Sequence, residues 1–191
     1  MNNKGKIEEI AHIYSGLQKE ICQTLEQADG LAVFEENNWE KDMGSGKTCV
    51  IRKGAAIEKG GVNYSFVRGA FTQQMENLLG EKASHYSATG ISSIMHPVNP
   101  HVPIIHTNVR YFALDNGTEW FGGGIDLSPH YIDISEARSF HQVLKRICDK
   151  YSFDLILFTT VVRNLVSNQM VIQKRYWSVY LPLLPGYITM K

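Results

Sequence analysis

At 191 residues, with 43% hydrophobic and 20% charged, the chain has the make-up of a folded domain and enough length to bury a core. Nineteen basic residues against nineteen acidic leave no net charge, which argues against a nucleic-acid binder working through a basic surface. The cysteines Cys22, Cys49 and Cys148 are far apart and form no CxxC pair, the N-terminus lacks the apolar core of a signal peptide, and no apolar run is long enough to span a bilayer; a cytoplasmic protein without disulfides or a transmembrane segment is expected.

Residues 7–27 are predicted as a helix. Ile7, Ile10, Tyr14, Leu17, Ile21 and Leu25 recur at spacings of three and four and line up one apolar face. Asp29-Gly30 supplies the stop. Residues 31–70 are predicted as strands and turns, in the pieces LAVFEENNW, TCVIRKGAAIEKG and GVNYSFVRG, parted by glycine-containing breaks. GSGKT at residues 44–48 has the end of a phosphate loop. Lys41 stands where that pattern needs its first glycine, and NWEKDM is no buried strand, so a flexible glycine turn is expected instead.

Residues 71–90 are predicted as a short helix and a loop, and residues 91–131 as two strands with their approaches. Residues 135–150 form a second predicted helix, capped by Ser135, with Ala137, Phe140, Leu144, Ile147 and Cys148 on its inner stripe. Residues 151–191 hold a β-branched run, a polar stretch and an apolar end, and give no clear assignment.

The chemistry concentrates in HPVNPHVPIIHTNVRYF, residues 96–112. Pro97, Pro100 and Pro103 fix three φ angles and disfavour helix before them, so residues 96–103 are expected to be extended and stiff. From Ile104 a strand pattern begins, with successive side chains on opposite faces. One face carries Ile104, His106, Asn108, Arg110 and Phe112; the other carries Ile105, Thr107, Val109 and Tyr111 and suits a core. His106, Asn108 and Arg110 then stand in a row about 7 Å apart. Such a row can bind a polar ligand, or it can be a solvated face.

ALDNGTEW reads as a hairpin turn into WFGGGIDLSP. A two-residue loop sets Asp126 on the face opposite Arg110. A three-residue loop, Asp115-Asn116-Gly117 with Gly117 left-handed, sets Arg110 across from Gly122, Asn108 from Gly124 and His106 from Asp126. The second register is preferred, because it leaves room above two glycines for a flat ligand and brings Asp126 beside the polar row. A glycine triplet in a strand often marks close approach to the backbone. A carboxylate, an arginine and histidines around such a floor could bind a ligand with NH donors in its middle and carboxylates at its rim, since arginine matches carboxylates bidentately.

HPVNPHVPIIHTNVRYF followed by WFGGGIDLSPHY closely resembles the signature of oxygen-dependent coproporphyrinogen III oxidase. ADGLAVFEENNW, GSGKT, GGVNYS and the helix ARSFHQVLKRICDK resemble further blocks of that family, in order, over about residues 8–150. The resemblance implies an α+β fold, an antiparallel β-sheet flanked by helices, here an incomplete version and a single domain over residues 1–191. It implies a homodimer acting on coproporphyrinogen III, with O2 as co-substrate and no organic cofactor. Two propionate groups would become vinyl groups, with release of CO2 and hydrogen peroxide. By the same resemblance His106 and Asp126 are catalytic, His106 as proton donor and Asp126 as acceptor for the pyrrole NH groups. Ser92, Asn108, Val109 and Arg110 contact substrate, and His96, His106 and His141 bind a divalent metal cation.

Read from the residues alone, His96 and His106 lie up to about 33 Å apart when extended, so they share a metal only if the chain folds back between them. A lone histidine on an apolar helix, as at His141, is more often a packed residue. The sequence also departs from the family: residues 151–175 match none of its blocks, QKRYWSVYLPLL only faintly resembles a later helix, and Cys49 stands where arginine is usual. Three readings therefore stand: a working oxidase, a relative that binds tetrapyrrole without turnover, and a structural or interaction module.

Overall fold

The computed structural model describes residues 3–151, 156–158 and 177–182. Helix α1 (Asn3–Asp29) precedes the strands β1 (Glu35–Lys41), β2 (Gly44–Arg52) and β3 (Ile57–Ala70). Helix α2 (Gln73–Leu79) leads to β4 (His85–Pro97), β5 (Ile104–Leu114) and β6 (Glu119–Ser128). Helix α3 (Ile134–Tyr151) and the strands β7 (Ile156–Phe158) and β8 (Trp177–Pro182) follow. The strands make one sheet in the order β1-β2-β3-β4-β5-β6-β8-β7, with every pair antiparallel. The fold is α+β, as expected.

Helix α1 lies against β3, β4 and β5. Its buried Cys22 joins Cys49, Ile51, Val62, Ile91 and Met95 in one core cluster, and its Ile7 joins Tyr111 and Ala113 in a second. All of the strand residues in these clusters lie on one face of the sheet. Burying a side chain of this size contributes about 1.5–3 kcal/mol, so the helix and that face stabilise each other. Two polar residues of α1 are buried as well. Gln18, 2% exposed, donates to the carbonyls of Lys47 (2.9 Å) and Val62 (2.8 Å), tying the helix to β2 and β3. Asp29 accepts from the backbone N–H groups of Leu31, Ala32, Ala55, Ala56 and Ile57, and so staples the helix end to the β2–β3 turn. These bonds, that of Ala32 foremost, hold its carboxyl far below the ordinary range.

The structure revises several expectations. GSGKT is not a flexible turn but the first part of β2. Trp39 lies over Gly46, where a Cβ would come within 2.4 Å of the indole. Gly60-Gly61 is not a break; β3 runs through it, and Gly60 leaves room for Met95. Residues 85–97 form a third strand where only a loop and the approach to the histidine strand were expected. On its far face stand Ala88, Gly90 and Ser92, which are small and yield no hydrophobic alternation. Residues 98–103 are not a stiff extended approach. They form the turn between β4 and β5, closed by Val102 N–H donating to the Asn99 carbonyl at 3.0 Å. The prolines rigidify a reversal rather than a straight segment.

The β5–β6 hairpin matches the preferred register: Arg110 pairs with Gly122, Asn108 with Gly124 and His106 with Asp126. Gly117 has φ of 95°, and Leu114 N–H donates to the Thr118 carbonyl, closing the three-residue loop. Helix α3 is capped by Asp133, not Ser135. The Asp133 carboxylate accepts from the backbone N–H groups of Ser135 and Glu136, and a carboxylate there also suits the positive helix end. Along its expected inner stripe Ala137, Phe140 and Leu144 are half-buried, but Ile147 is 47% exposed. The side chain of Cys148 and most of residues 151–191 lie outside the described residues.

Candidate functional site

Alternation along β4, β5 and β6 carries a second set of side chains to the sheet face away from α1. Across this face Ser92 pairs with Asn108, Ile94 with His106, and His106 with Asp126. Their side chains form a chain of polar contacts. The Ser92 hydroxyl lies 3.3 Å from His106 Nε2, and Asp126 Oδ2 lies 3.4 Å from His106 Nδ1. A carboxylate beside Nδ1 favours the ring proton there, which leaves Nε2 to accept from the hydroxyl. Burial pushes the Asp126 carboxyl above its ordinary pKa, and the neighbouring His106 partly offsets this. The His106 side chain keeps 40% of its surface exposed, against 21% for Asp126. A ligand in the recess can therefore reach the ring and, over a smaller area, the carboxylate.

Two recesses flank this row. One, of about 260 Å³, is bounded by Ile94, His96, His106, Asp126, Ser128 and His130. The other, of about 190 Å³, lies over β3 and β4 and is bounded by Asn63, Ser65, Ala88, Gly90, Ser92 and Arg110. Arg110 belongs to the second recess because its side chain crosses Gly90: a Cβ on Gly90 would sit 2.9 Å from Arg110 Cγ. Above Gly122, across the hairpin, nothing among the described residues stands within 4 Å of where a Cβ would be. Either recess alone is smaller than the roughly 300–1,000 Å³ of a typical ligand pocket. A large ligand would lie across both, on the open floor.

At the hairpin end the floor is bordered by an aromatic ladder. Tyr86 stacks on Phe112 at 5.2 Å, and Phe112 meets Trp120 at 4.6 Å. At the other end His101 in the β4–β5 turn stacks on Tyr131 at 4.7 Å, joining that turn to the loop before α3.

The structure thus brings His106, Asp126, Ser92, Asn108 and Arg110 to one face. Val109 is on the opposite face, its side chain 41% exposed, so only its backbone lies among the others. It is not the core residue that alternation suggested, because α1 leaves that part of β5 uncovered. The fold-back at residues 98–103 brings His96 into the same recess as His106, while His141 sits on α3. Among the described residues no three His, Cys, Asp or Glu side chains are grouped so as to hold a metal ion. The described donor set does not fit a resident metal. Sequence reasoning missed Asn63, Ser65 and Gly90. The period-2 pattern within GGVNYS was the signal for the first two; nothing local marked the third.

A coproporphyrinogen III oxidase family model matches residues 9–174. The chain belongs to the coproporphyrinogen III oxidase family. The match runs past residue 150, where recognisable blocks stop. Among curated proteins the chain is 38% identical over 152 residues to the mitochondrial oxygen-dependent coproporphyrinogen-III oxidase of Rattus norvegicus, and 39% identical to that of Homo sapiens. Each alignment covers 72% of this chain and 34% of the relative. The chain thus spans about a third of the length of the curated relatives it matches.

Proposed function

We propose that the chain acts on coproporphyrinogen III, converting two propionate side chains to vinyl groups with O2 as the electron acceptor. For each group a propionic acid arm and one O2 give a vinyl group, CO2 and H2O2; the arm is oxidised by two electrons and O2 is reduced to peroxide. The observation that carries this reading is the Ser92–His106–Asp126 row beside the open floor over Gly122. Asp126 accepts hydrogen bonds from the pyrrole N–H groups, Arg110 and Asn108 hold carboxylate arms, and His106 moves a proton at Nε2, with Ser92 as its partner. Under the same reading the chain works as a homodimer in the cytoplasm.

The coverage of only a third of the relatives favours a second reading, in which the same face binds tetrapyrrole without turnover. Aerobic incubation of the purified chain with coproporphyrinogen III separates the two. The proposal predicts protoporphyrinogen IX with two CO2 per tetrapyrrole, and a loss of about 10²–10⁴-fold in His106→Ala and Asp126→Asn. No CO2 release, where a full-length relative turns over, overturns it and leaves the binding reading.

A further inference from the structure

The GGVNYS segment holds two residues with no role in the row described above. On β3, Asn63 pairs with Ser92, and Ser65 pairs with Gly90, which in turn pairs with Arg110. Asn63 and Ser65 therefore share the ligand face with Arg110, and all three bound the recess of about 190 Å³. Among the described residues none of their side chains is engaged in a hydrogen bond or ion pair with another. Asn63 and Arg110 are exposed and Ser65 is half-buried, so a ligand can reach all three. A carboxamide, a hydroxyl and a guanidinium thus converge on a floor kept low by Ala88 and Gly90.

Gly90 aims the site. A Cβ there would sit 2.5 Å from the Val109 carbonyl and 2.9 Å from Arg110 Cγ. Only a residue without a side chain lets the Arg110 stem lie across β4 toward Ser65. The guanidinium is thereby turned from the His106–Asp126 recess into a second one, whose bounding residues include no carboxylate. Such a set of donors suits an anion with two acceptor oxygens, carried on a slender arm rather than a ring.

We infer that Asn63 and Ser65, with Arg110, form a carboxylate subsite, separate from the His106–Asp126 recess, that holds an alkyl-carboxylate arm of the ligand while a different arm faces His106. The inference rests on the tetrapyrrole reading and adds to it which residues anchor the arm that is not reacting. The subsite fixes the ligand's rotation on the face and so selects the arm presented to the histidine.

The test is equilibrium binding of coproporphyrin III to the full chain, followed by porphyrin fluorescence, in wild type, Ser65→Ala, Asn63→Asp and Thr48→Ala. Thr48, the neighbour of Asn63 on β2, lies outside the recess and is the control. Circular dichroism and thermal melts confirm that each variant folds. Asn63→Asp sets a negative charge against the arm and is expected to weaken binding about tenfold or more, with Ser65→Ala weakening it severalfold and Thr48→Ala leaving it unchanged. The tetramethyl ester, presented in detergent, is expected to bind wild type and Asn63→Asp alike. Wild-type binding with Asn63→Asp and Ser65→Ala unaffected, or the same loss for the ester, overturns the subsite alone. No binding of either porphyrin to wild type overturns the tetrapyrrole reading and the subsite with it.

Discussion

Two glycines of the ligand face, subjected to the same substitution, should behave in opposite ways. Gly90 sits in β4 between β3 and β5, and an added Cβ would lie 2.5 Å from the Val109 carbonyl, about 0.9 Å inside ordinary contact. That neighbour is backbone of the paired strand and cannot swing aside. Gly90→Ala must therefore part β4 from β5 and push the Arg110 stem off its seat. Overpacking of this kind costs about 1–3 kcal/mol, which for a chain of this size lowers Tm by roughly 2–12 °C. Gly122, across β5 from it, has nothing among the described residues within 4 Å of its Cβ position. Gly122→Ala should leave stability within about 0.5 kcal/mol, or raise it slightly by restricting the unfolded chain. The methyl group would nevertheless stand on the open floor beside Arg110, so porphyrin binding should weaken without loss of stability. Thermal melts and urea titrations of both variants, with coproporphyrin binding alongside, measure this. Equal destabilisation by the two substitutions, or a neutral Gly90→Ala, would refute the close approach of β5 to Gly90.

The remaining predictions concern the scaffold. Asp29 has a depressed carboxyl pKa in the folded chain, so its stabilising effect is present above the ordinary carboxylate value of about 4 and is lost as pH falls through the folded value. Asp29→Asn should be less stable than wild type at neutral pH, and the gap between them should close as urea titrations move below about pH 4. A gap independent of pH would show that the charge is immaterial. Gln18→Leu removes both hydrogen bonds to the Lys47 and Val62 carbonyls and should cost about 1–3 kcal/mol in a urea titration. A neutral result would mean that the carboxamide is dispensable to the docking of α1.

What the sequence disclosed tracks how local each signal is. The β5–β6 hairpin was legible because Asp115-Asn116-Gly117 sets the loop, and the loop sets the register that puts His106 beside Asp126. Helix α1 was legible from its stripe and its Asp29-Gly30 stop, but the ties of Gln18 and Asp29 to the sheet were not: those partners lie on β2, β3 and the turn between them, far along the chain. Strand β4 escaped because its outer face carries Ala88, Gly90 and Ser92 in place of alternating apolar residues. The prolines of residues 97–103 announced rigidity but not direction, and the fold-back they support is what brings His96 near His106. The division of the face into two recesses depends on the path of one arginine over one glycine. No spacing in the sequence reveals that.

The central claim is that the sheet face opposite α1 receives the tetrapyrrole. A crystal structure of the chain with coproporphyrin III bound tests it most directly. The account predicts the macrocycle over Gly122, its NH centre toward Asp126, one carboxylate arm near His106 and another among Arg110, Asn63 and Ser65. A macrocycle seated on the α1 side of the sheet, or on the 260 Å³ recess with Arg110 untouched, would contradict it.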